Sequence, residues 1–423
     1  LSAFGQNWKT VFAMSLALGG LSSIARADLA RQHQSFDRMI LPGGRAAMMG
    51  GAYTALSNDP SGLFYNPAGI TRGKQNQVSL NSWLTNRSEV VFKEAVRGRD
   101  FTETSNTFFG GLAGGVVHKK WFTLGYVIAT LDKRNINQDD FFEAMSDEEG
   151  QARDFARIHQ ESNSYDLFGA SIAFPLGRSW SLGFAGFYYD RNIESMDYQQ
   201  VTFNGGQVLV QESKIRVSNQ GFHASGGLQY QGDSLSVGLS VRVGEPVLNK
   251  GSLNYNSVTH AVANTIPDVV NYSSDDYEID NEVIPNIYRL GLAFHPIQGL
   301  LISTDISYSA PVSVDNGSPD RLGTWNYALG LEAGFSHWRL MAGIFTNNST
   351  FPKIKGDEDN QTAHLNYVGR TIGTAILTKS FDLQLGFIRQ DGRGSAQIIA
   401  GATTKQKVEA TMENFLLSWT FKL

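Results

Sequence analysis

The side chains of this chain best suited to chemistry are four arginines, Arg45, Arg242, Arg289 and Arg339, each set among apolar or small residues. A guanidinium carries a permanent charge and a planar fork of N–H donors, so it can hold a carboxylate through two parallel hydrogen bonds. Arg242 sits between Val241 and Val243, Arg289 between Tyr288 and Leu290, and Arg339 between Trp338 and Leu340. Strand phase therefore turns these three cations away from an apolar face, as it does Lys422 near the last residue. Asp305 and Glu332 share that inward phase and are ready partners for them. Hydrolytic chemistry has no comparable support. The chain has 8 His and no Cys, and neither a G-x-S-x-G elbow nor an H-E-x-x-H motif occurs. No enzymatic activity is expected. The acidic clusters Asp275-Asp276 through Glu278, Asp280 and Glu282, and Asp357-Glu358-Asp359, lack the glycine placement of an EF-hand loop. They read as solvated loops, and no metal or other cofactor is assigned.

The elements that must position the arginines are strands. Ile302, Thr304, Ile306 and Tyr308 alternate with Ser303, Asp305 and Ser307. The same period of two runs through Leu235–Gly244, Trp325–Glu332 and Phe381–Phe387. A membrane-barrel strand presents apolar residues to lipid and polar or small ones to its lumen with this period. The polar face here is rich in Gly, Ala and Ser, as a crowded or plugged lumen requires, where a soluble sandwich would carry Lys and Glu. Six short links, at His118-Lys119-Lys120, Gly177-Arg178-Ser179, Gln231-Gly232-Asp233, 295–299, 334–337 and Lys379-Ser380, alternate with seven long polar ones. The long links are expected at 91–104, 136–160, 201–216, 251–283, 313–321, 348–362 and 394–410. Thirteen links join fourteen antiparallel strands, with short turns on one side and long loops on the other, the asymmetry of outer-membrane barrels. The expected fold is all-β, a 14-stranded transmembrane barrel over residues 76–423.

Composition agrees with an exported barrel. Of 423 residues 41% are hydrophobic and only 18% are charged, with 44 Gly. The formal charge of −5 gives no support to nucleic-acid binding. Residues 1–27 read as a signal peptide, with Lys9 before an apolar stretch and Ala25-Arg26-Ala27 as the cleavage site. Its removal takes away Lys9 and Arg26 and no acid, which makes −5 into −7. No apolar run long enough for a transmembrane helix follows. The last strand, Phe415, Leu417, Trp419, Phe421 and Leu423 in one phase, is similar to the C-terminal signal that barrel-insertion machinery recognises.

Between signal and strands lies a block of small residues, Gly43-Gly44-Arg45-Ala46-Ala47-Met48-Met49-Gly50-Gly51-Ala52-Tyr53, followed by Asn66-Pro67-Ala68-Gly69-Ile70. Small residues let backbone pack on backbone, and the composition suits a plug folded inside something larger. The block and the Asn-Pro-Ala triplet resemble the N-terminal hatch of the FadL family of outer-membrane barrels, which carry long-chain fatty acids and other hydrophobic molecules. The strand count and topology resemble that family too. The resemblance implies a hatch over 28–75, passive transport without cofactor or nucleotide, and exit of the substrate sideways between strands when the hatch shifts. It implies a single-chain barrel in contact with outer-membrane lipid and lipopolysaccharide.

Asn66, Pro67 and Ala68, with Gly50 and Gly51, are the expected gating residues, near the first strand. Met48, Met49, Leu63, Phe64 and Tyr65 are candidates to line an apolar substrate pocket, with Arg45, Arg242, Arg289 and Arg339 as partners for a fatty-acid carboxylate. Gly110, Gly111, Gly114 and Gly115 mark the second strand as one edge of a lateral opening facing 124–130 of the third, since glycine weakens a strand. The leading substrates are long-chain fatty acids, with aromatic hydrocarbons as the alternative. A surface scaffold or shuttle for secreted proteins, as in type IX secretion, is a further alternative on the same scaffold.

Overall fold

The computed structural model describes residues 40–423 apart from 97, 144–151, 205, 207, 261–268, 279–284, 314–319, 357–360, 362 and 398–404. The expected signal peptide, residues 28–39, Asp280, Glu282 and Asp357-Glu358-Asp359 lie outside the described residues. The strands are β1 Gln77–Val96, β2 Arg99–His118, β3 Thr123–Phe142, β4 Ala152–Leu176, β5 Trp180–Phe203, β6 Val208–Gln231, β7 Leu235–His260, β8 Val269–Glu278, β9 Ile287–Ile297, β10 Leu300–Ser309, β11 Thr324–Phe335, β12 Trp338–Asn347, β13 His364–Leu377, β14 Phe381–Ala396 and β15 Gln406–Lys422.

Each strand pairs antiparallel with its neighbours, and the β1–β15 ladder closes the sheet, Gln77 lying opposite Lys422 and Phe92 opposite Val408. Fourteen strands form the closed wall. β8 stands outside the count because β7 pairs with β9 along Leu235–Arg242 and with β8 only further up, from Lys250. Closure removes the free edges of the wall, so its ladder groups are satisfied by neighbours except along β2 and β3 beyond Leu112 and Ala129, where their main-chain pairing stops. Tight turns at Gly177 and Gly299, with φ of 73° and 84°, use backbone that a side chain would strain.

The outer wall carries a continuous apolar band. On β4 it runs through Phe168, Phe174 and Leu176, on β7 through Leu235, Leu239 and Val241, and on β11 through Trp325, Tyr327, Leu329 and Leu331, all exposed. Above the band the strands go on. Several of the long loops expected from sequence are instead strand: 91–104 is a near-continuous hairpin, 201–216 narrows to the link between β5 and β6, and much of 136–160 belongs to β3 and β4. The reason is physical. Ladder hydrogen bonds satisfy the backbone whatever the side chains are, so polar residues on both faces look like loop in sequence yet pair as well as apolar ones.

Residues 40–73 lie inside the barrel at the end of the short turns. They form a helix α1, Gly44–Met48, a second short helix α2, Gly62–Tyr65, and a 3₁₀ helix, Pro67–Arg72. Ala46, Ala47, Met48, Met49, Ala52, Tyr53, Leu63, Ala68 and Ile70 are each fully buried. The wall meets this inner segment with glycine. A Cβ at Gly183 would overlap Pro67 and Ala68, at Gly227 Asn66, at Gly238 Thr54, at Gly330 Met49, at Gly343 Gly50, and at Gly373 Met48. The Gly-rich inward phase read from the sequence is thus the collar that lets an irregular backbone touch the wall.

Candidate functional site

Polar anchors hold the inner segment to the wall. Asp305 on β10, 1% exposed, accepts hydrogen bonds at Oδ2 from the N–H groups of Tyr53 (3.2 Å) and Thr54 (3.0 Å) and from the Thr54 hydroxyl (2.6 Å). Glu332 on β11 accepts from Arg45 Nε at 2.6 Å and lies 3.4 Å from Arg339 Nε. Burial alone would lower the Arg45 pKa; Glu332 outweighs it and keeps the guanidinium charged. Arg45 and Arg339 therefore share one carboxylate and belong to the anchoring. Met48 and Met49 press on Gly373 and Gly330.

Asn66 closes the segment. Its side-chain amide donates to the carbonyls of Thr54 (3.0 Å) and Leu228 (3.2 Å), and its Oδ1 accepts from Ala68 N–H at 3.1 Å. Proline at the next position starts the 3₁₀ helix without a donor to satisfy. The triplet is tied to β5 and β6, through Ser181 to the Ala68 carbonyl and through Asn66 to Leu228, and does not lie beside the first strand, because the chain crosses the lumen before it enters β1. Gly50 and Gly51 take φ of 64° and 77°, the left-handed turn that ends α1.

Arg242 and Arg289 behave differently from the other two arginines. Arg242 Nη2 and Arg289 Nη1 both donate to the Phe64 carbonyl, at 2.5 and 3.2 Å. The Arg242 guanidinium also lies 3.8 Å from the centre of the Phe64 ring, a cation–π contact. Above them on β4 to β6, Tyr165, Phe187, Tyr189 and His223 face inward and are buried. The Tyr165 hydroxyl meets His223 Nε2 at 2.9 Å, and the Tyr189 and His223 rings lie 4.9 Å apart. These four were not singled out from the sequence; aromatic residues on an inward face otherwise made of small and polar ones were the available signal. Leu63 and Ile70 pack in the same apolar cluster with Leu112, Val116, Val127, Ala129 and Leu167, and Phe64 and Leu131 flank it. The cluster makes an apolar column from the β2–β3 wall to Phe64 and the two arginines.

The column ends where the wall changes character. β2 and β3 pair by main chain only from Leu112 opposite Ala129 down to His118 opposite Thr123. Gly114 and Gly115 fall inside this ladder, opposite Val127 and Tyr126, whereas Gly110 and Gly111 lie just past its end. The β3–β4 register slips between Thr130 and Asp132, so β3 bulges at Leu131, the partly buried residue beside the apolar column. Higher up, side chains of β1 and β2 reach across to the β3 backbone instead. Thr107 Oγ1 and the Asn86 amide both donate to the Lys133 carbonyl at 3.0 Å, and Ser105 Oγ donates to the Asn135 carbonyl at 2.7 Å. This is a seam, a length of wall held by a few side-chain bonds.

A closed 14-stranded wall, an inner segment ending in Asn-Pro-Ala and a bulged third strand can be compared with known structures. A Pseudomonas aeruginosa FadL homologue superposes with a TM-score of 0.62 over 91% of this chain and 99% of its own, at 12% identity. The fold is that of the FadL-type barrels. The Pseudomonas putida toluene transporter TodX matches this FadL-type barrel with a TM-score of 0.62 over 90% of this chain and 99% of that one, at 12% identity. The Ralstonia pickettii toluene transporter TbuX gives 0.58 over 91% and 99%, at 11% identity. No family model and no curated protein matches the sequence. The likeness therefore lives in topology, which so few shared side chains still support.

Towards the long hairpins the barrel carries ion pairs on β2 to β5 and an apolar cluster, with Phe92, Phe101, Leu365 and Met412, at β1, β2 and β13 to β15. Arg134 Nη2 lies 2.6 Å from Glu161, and Arg157 Nη2 lies 2.6 Å from Asp197 with Glu103 at 3.6 Å from Nη1. Among the described residues no group of His, Cys, Asp or Glu is arranged to hold a metal ion.

Proposed function

We propose that the protein is an outer-membrane channel through which hydrophobic molecules diffuse inward, with the inner segment acting as the hatch and the β2–β3 seam as the sideways exit. The observation that carries this reading is the apolar column joining the two, from Phe64 at the hatch to Leu131 at the bulge. A water-filled pore would serve such molecules badly, since each methylene moved through water forfeits about 0.8 kcal/mol. A column of Leu, Ile, Val and aromatic side chains offers a dry route. Opening requires that Phe64 leave its place, and the Asn66 bonds to Thr54 and Leu228 hold the turn that sets Phe64. No chemical step and no nucleotide enters this mechanism.

Long-chain fatty acids are the first substrate proposed. Arg242 and Arg289 would exchange the Phe64 carbonyl for a carboxylate, a stronger acceptor because it is charged. Monoaromatic hydrocarbons are the second reading, favoured by the Tyr165, Phe187 and Tyr189 lining and by the toluene transporters among the matched structures. Uptake of labelled oleate and labelled toluene by a Gram-negative strain lacking its own transporter for each separates the two. Oleate uptake that falls about tenfold or more in Arg242→Gln with toluene uptake unchanged is expected for a fatty-acid channel. Toluene uptake alone would establish the second reading, and no uptake of either by a correctly inserted protein would overturn both.

A further inference from the structure

We propose that the channel selects aromatic molecules carrying a ring hydroxyl, and that His223 and Ser225 on β6 read that hydroxyl. The inference deepens the proposed passage of hydrophobic molecules and rests on it.

Beside the apolar column, three side chains facing the lumen each carry a buried polar atom without a hydrogen-bond partner. They are His223 at Nδ1, Ser225 at Oγ and Ser171 at Oγ, all three residues more than nine-tenths buried. The other nitrogen of His223, Nε2, is taken by the Tyr165 hydroxyl at 2.9 Å. Ser171, Ala185, Ser225 and Arg242 lie in one register row, and Gly169, Phe187, His223 and Gly244 in the next inward-facing one. Ser171 reaches the column itself, since a Cβ at Gly125 would stand 2.7 Å from its Oγ and 2.6 Å from Leu63 Cδ1. None of the three atoms has a part in the anchoring of the hatch.

A buried polar group left unpaired costs its full desolvation. A hydrocarbon moving along the column excludes water from these atoms and gives nothing in return, whereas a hydroxyl replaces what water gave. The hydroxyl is singled out because it both donates and accepts. Where the Tyr165 hydroxyl donates to Nε2, Nδ1 of a neutral His223 carries the proton and donates; where Nε2 donates to Tyr165, Nδ1 accepts. A serine hydroxyl takes either role as well. A ketone or carboxylate only accepts, and an ammonium only donates and meets the charge of Arg242, which stands opposite Ser225. A hydroxyl serves His223 in both tautomers.

The surroundings of His223 favour a ring as the body that carries this hydroxyl. The Tyr189 ring centre lies 4.9 Å from that of His223 and 6.0 Å from that of Tyr165, the two tyrosines meeting edge-on at 80°. Phe187 is the neighbour of His223 across the ladder. Aromatic pairs at such separations gain more than their buried area supplies. A flat ring set against Tyr189 and Phe187 takes the same gain, while an alkyl chain takes area alone. His223 and Ser225 are two residues apart on one face, roughly 7 Å along the strand, so a small ring beside them keeps its hydroxyl within reach of one or the other.

The test is equilibrium dialysis of labelled 4-propylphenol, propylbenzene and 1-octanol against the full chain in one detergent, so that partition into micelles cancels between proteins. The variants are Ser225→Ala and His223→Phe, and heat-dependent gel mobility reports an intact barrel in each. The wild type is expected to bind 4-propylphenol about tenfold or more tighter than propylbenzene once micelle partition is subtracted, with 1-octanol weaker than the phenol. Either variant should bring the two aromatic affinities together, weakening the phenol and leaving the hydrocarbon unchanged or tighter, since an unpaired polar group has been removed. The milder Ser225→Ala decides the matter if His223→Phe does not fold. A phenol-to-hydrocarbon ratio that is the same in the wild type and the folded variants would overturn the proposal, as would 1-octanol binding as tightly as the phenol. Propylbenzene bound without preference for the phenol removes only this inference. Binding of none of the three, together with no uptake of oleate or toluene, removes the channel reading as well.

Discussion

Replacing Asp305 by alanine should loosen the inner segment without unfolding the barrel. One carboxylate oxygen accepts three hydrogen bonds from Tyr53 and Thr54, two of them from main-chain N–H groups that a buried site cannot hand to water. A hydrogen bond to an ionised acceptor contributes about 1.5–3 kcal/mol. The three share an oxygen, so counting two at the low end sets a floor of about 3 kcal/mol on the docking of the segment, about a hundredfold in its open population. The chain has no cysteine, so Ala52→Cys introduces a background-free probe at a position that is 0% exposed. Maleimide labelling of that cysteine should accelerate about a hundredfold in Asp305→Ala, in step with the open population. Ser309→Ala on the same strand should leave labelling within about twofold, as surface changes usually do. An unchanged labelling rate in a barrel that still shows heat-dependent mobility would refute the anchoring role of Asp305.

Two further outcomes follow from the wall. Amides of β3 from Asp132 to Arg134 that face β2 should exchange with deuterium at least about tenfold faster than those from Tyr126 to Ile128, because side-chain bridges replace the ladder there; equal protection would remove the seam. Glu161 gives a pH dependence. Burial alone would raise its carboxyl pKa, but Arg134 at 2.6 Å and the adjacent His159 outweigh burial and hold it at about 2 against an ordinary 4.5. Glu161 lies above the apolar band, past Asp166, Ser164 and Ser162. A depressed carboxylate stabilises the folded state above its ordinary pKa, and that contribution, about 3 kcal/mol, is lost as pH falls from 4.5 to 2. The thermal midpoint should therefore drop between pH 5 and pH 2.5 in the wild type and much less in Glu161→Gln, measured by circular dichroism.

Period-two alternation made the fourteen-stranded wall legible, because a strand with lipid on one side must show its phase in side-chain type. The six short turns were legible for the same reason, each being polar punctuation between two apolar phases. The tall hairpins were not, since above the band neither face of β3 to β6 needs to be apolar. The inward glycines signalled a crowded lumen, and the structure shows each of several facing a particular residue of the inner segment. What the sequence could not place was contact across the lumen. Asn66 reaches Leu228 across 162 positions of chain. The end of the β2–β3 ladder depends on a register slip at Leu131 that leaves no mark in local composition.

The glycine collar has a consequence for the order of assembly. The segment from Leu41 to Ile70 is gripped around most of its circumference, with wall backbone in contact at β5, β6, β7, β11, β12 and β13. A side chain could be worked past a loose wall, but here there is no clearance for threading from either end once the ladder between β1 and β15 is complete. The wall must wrap the segment, so the first part of the barrel to be made is already inside when the seam between first and last strands zips. A folding intermediate with β1–β15 paired and a cysteine at position 52 as reactive to maleimide as in the unfolded chain would contradict that order.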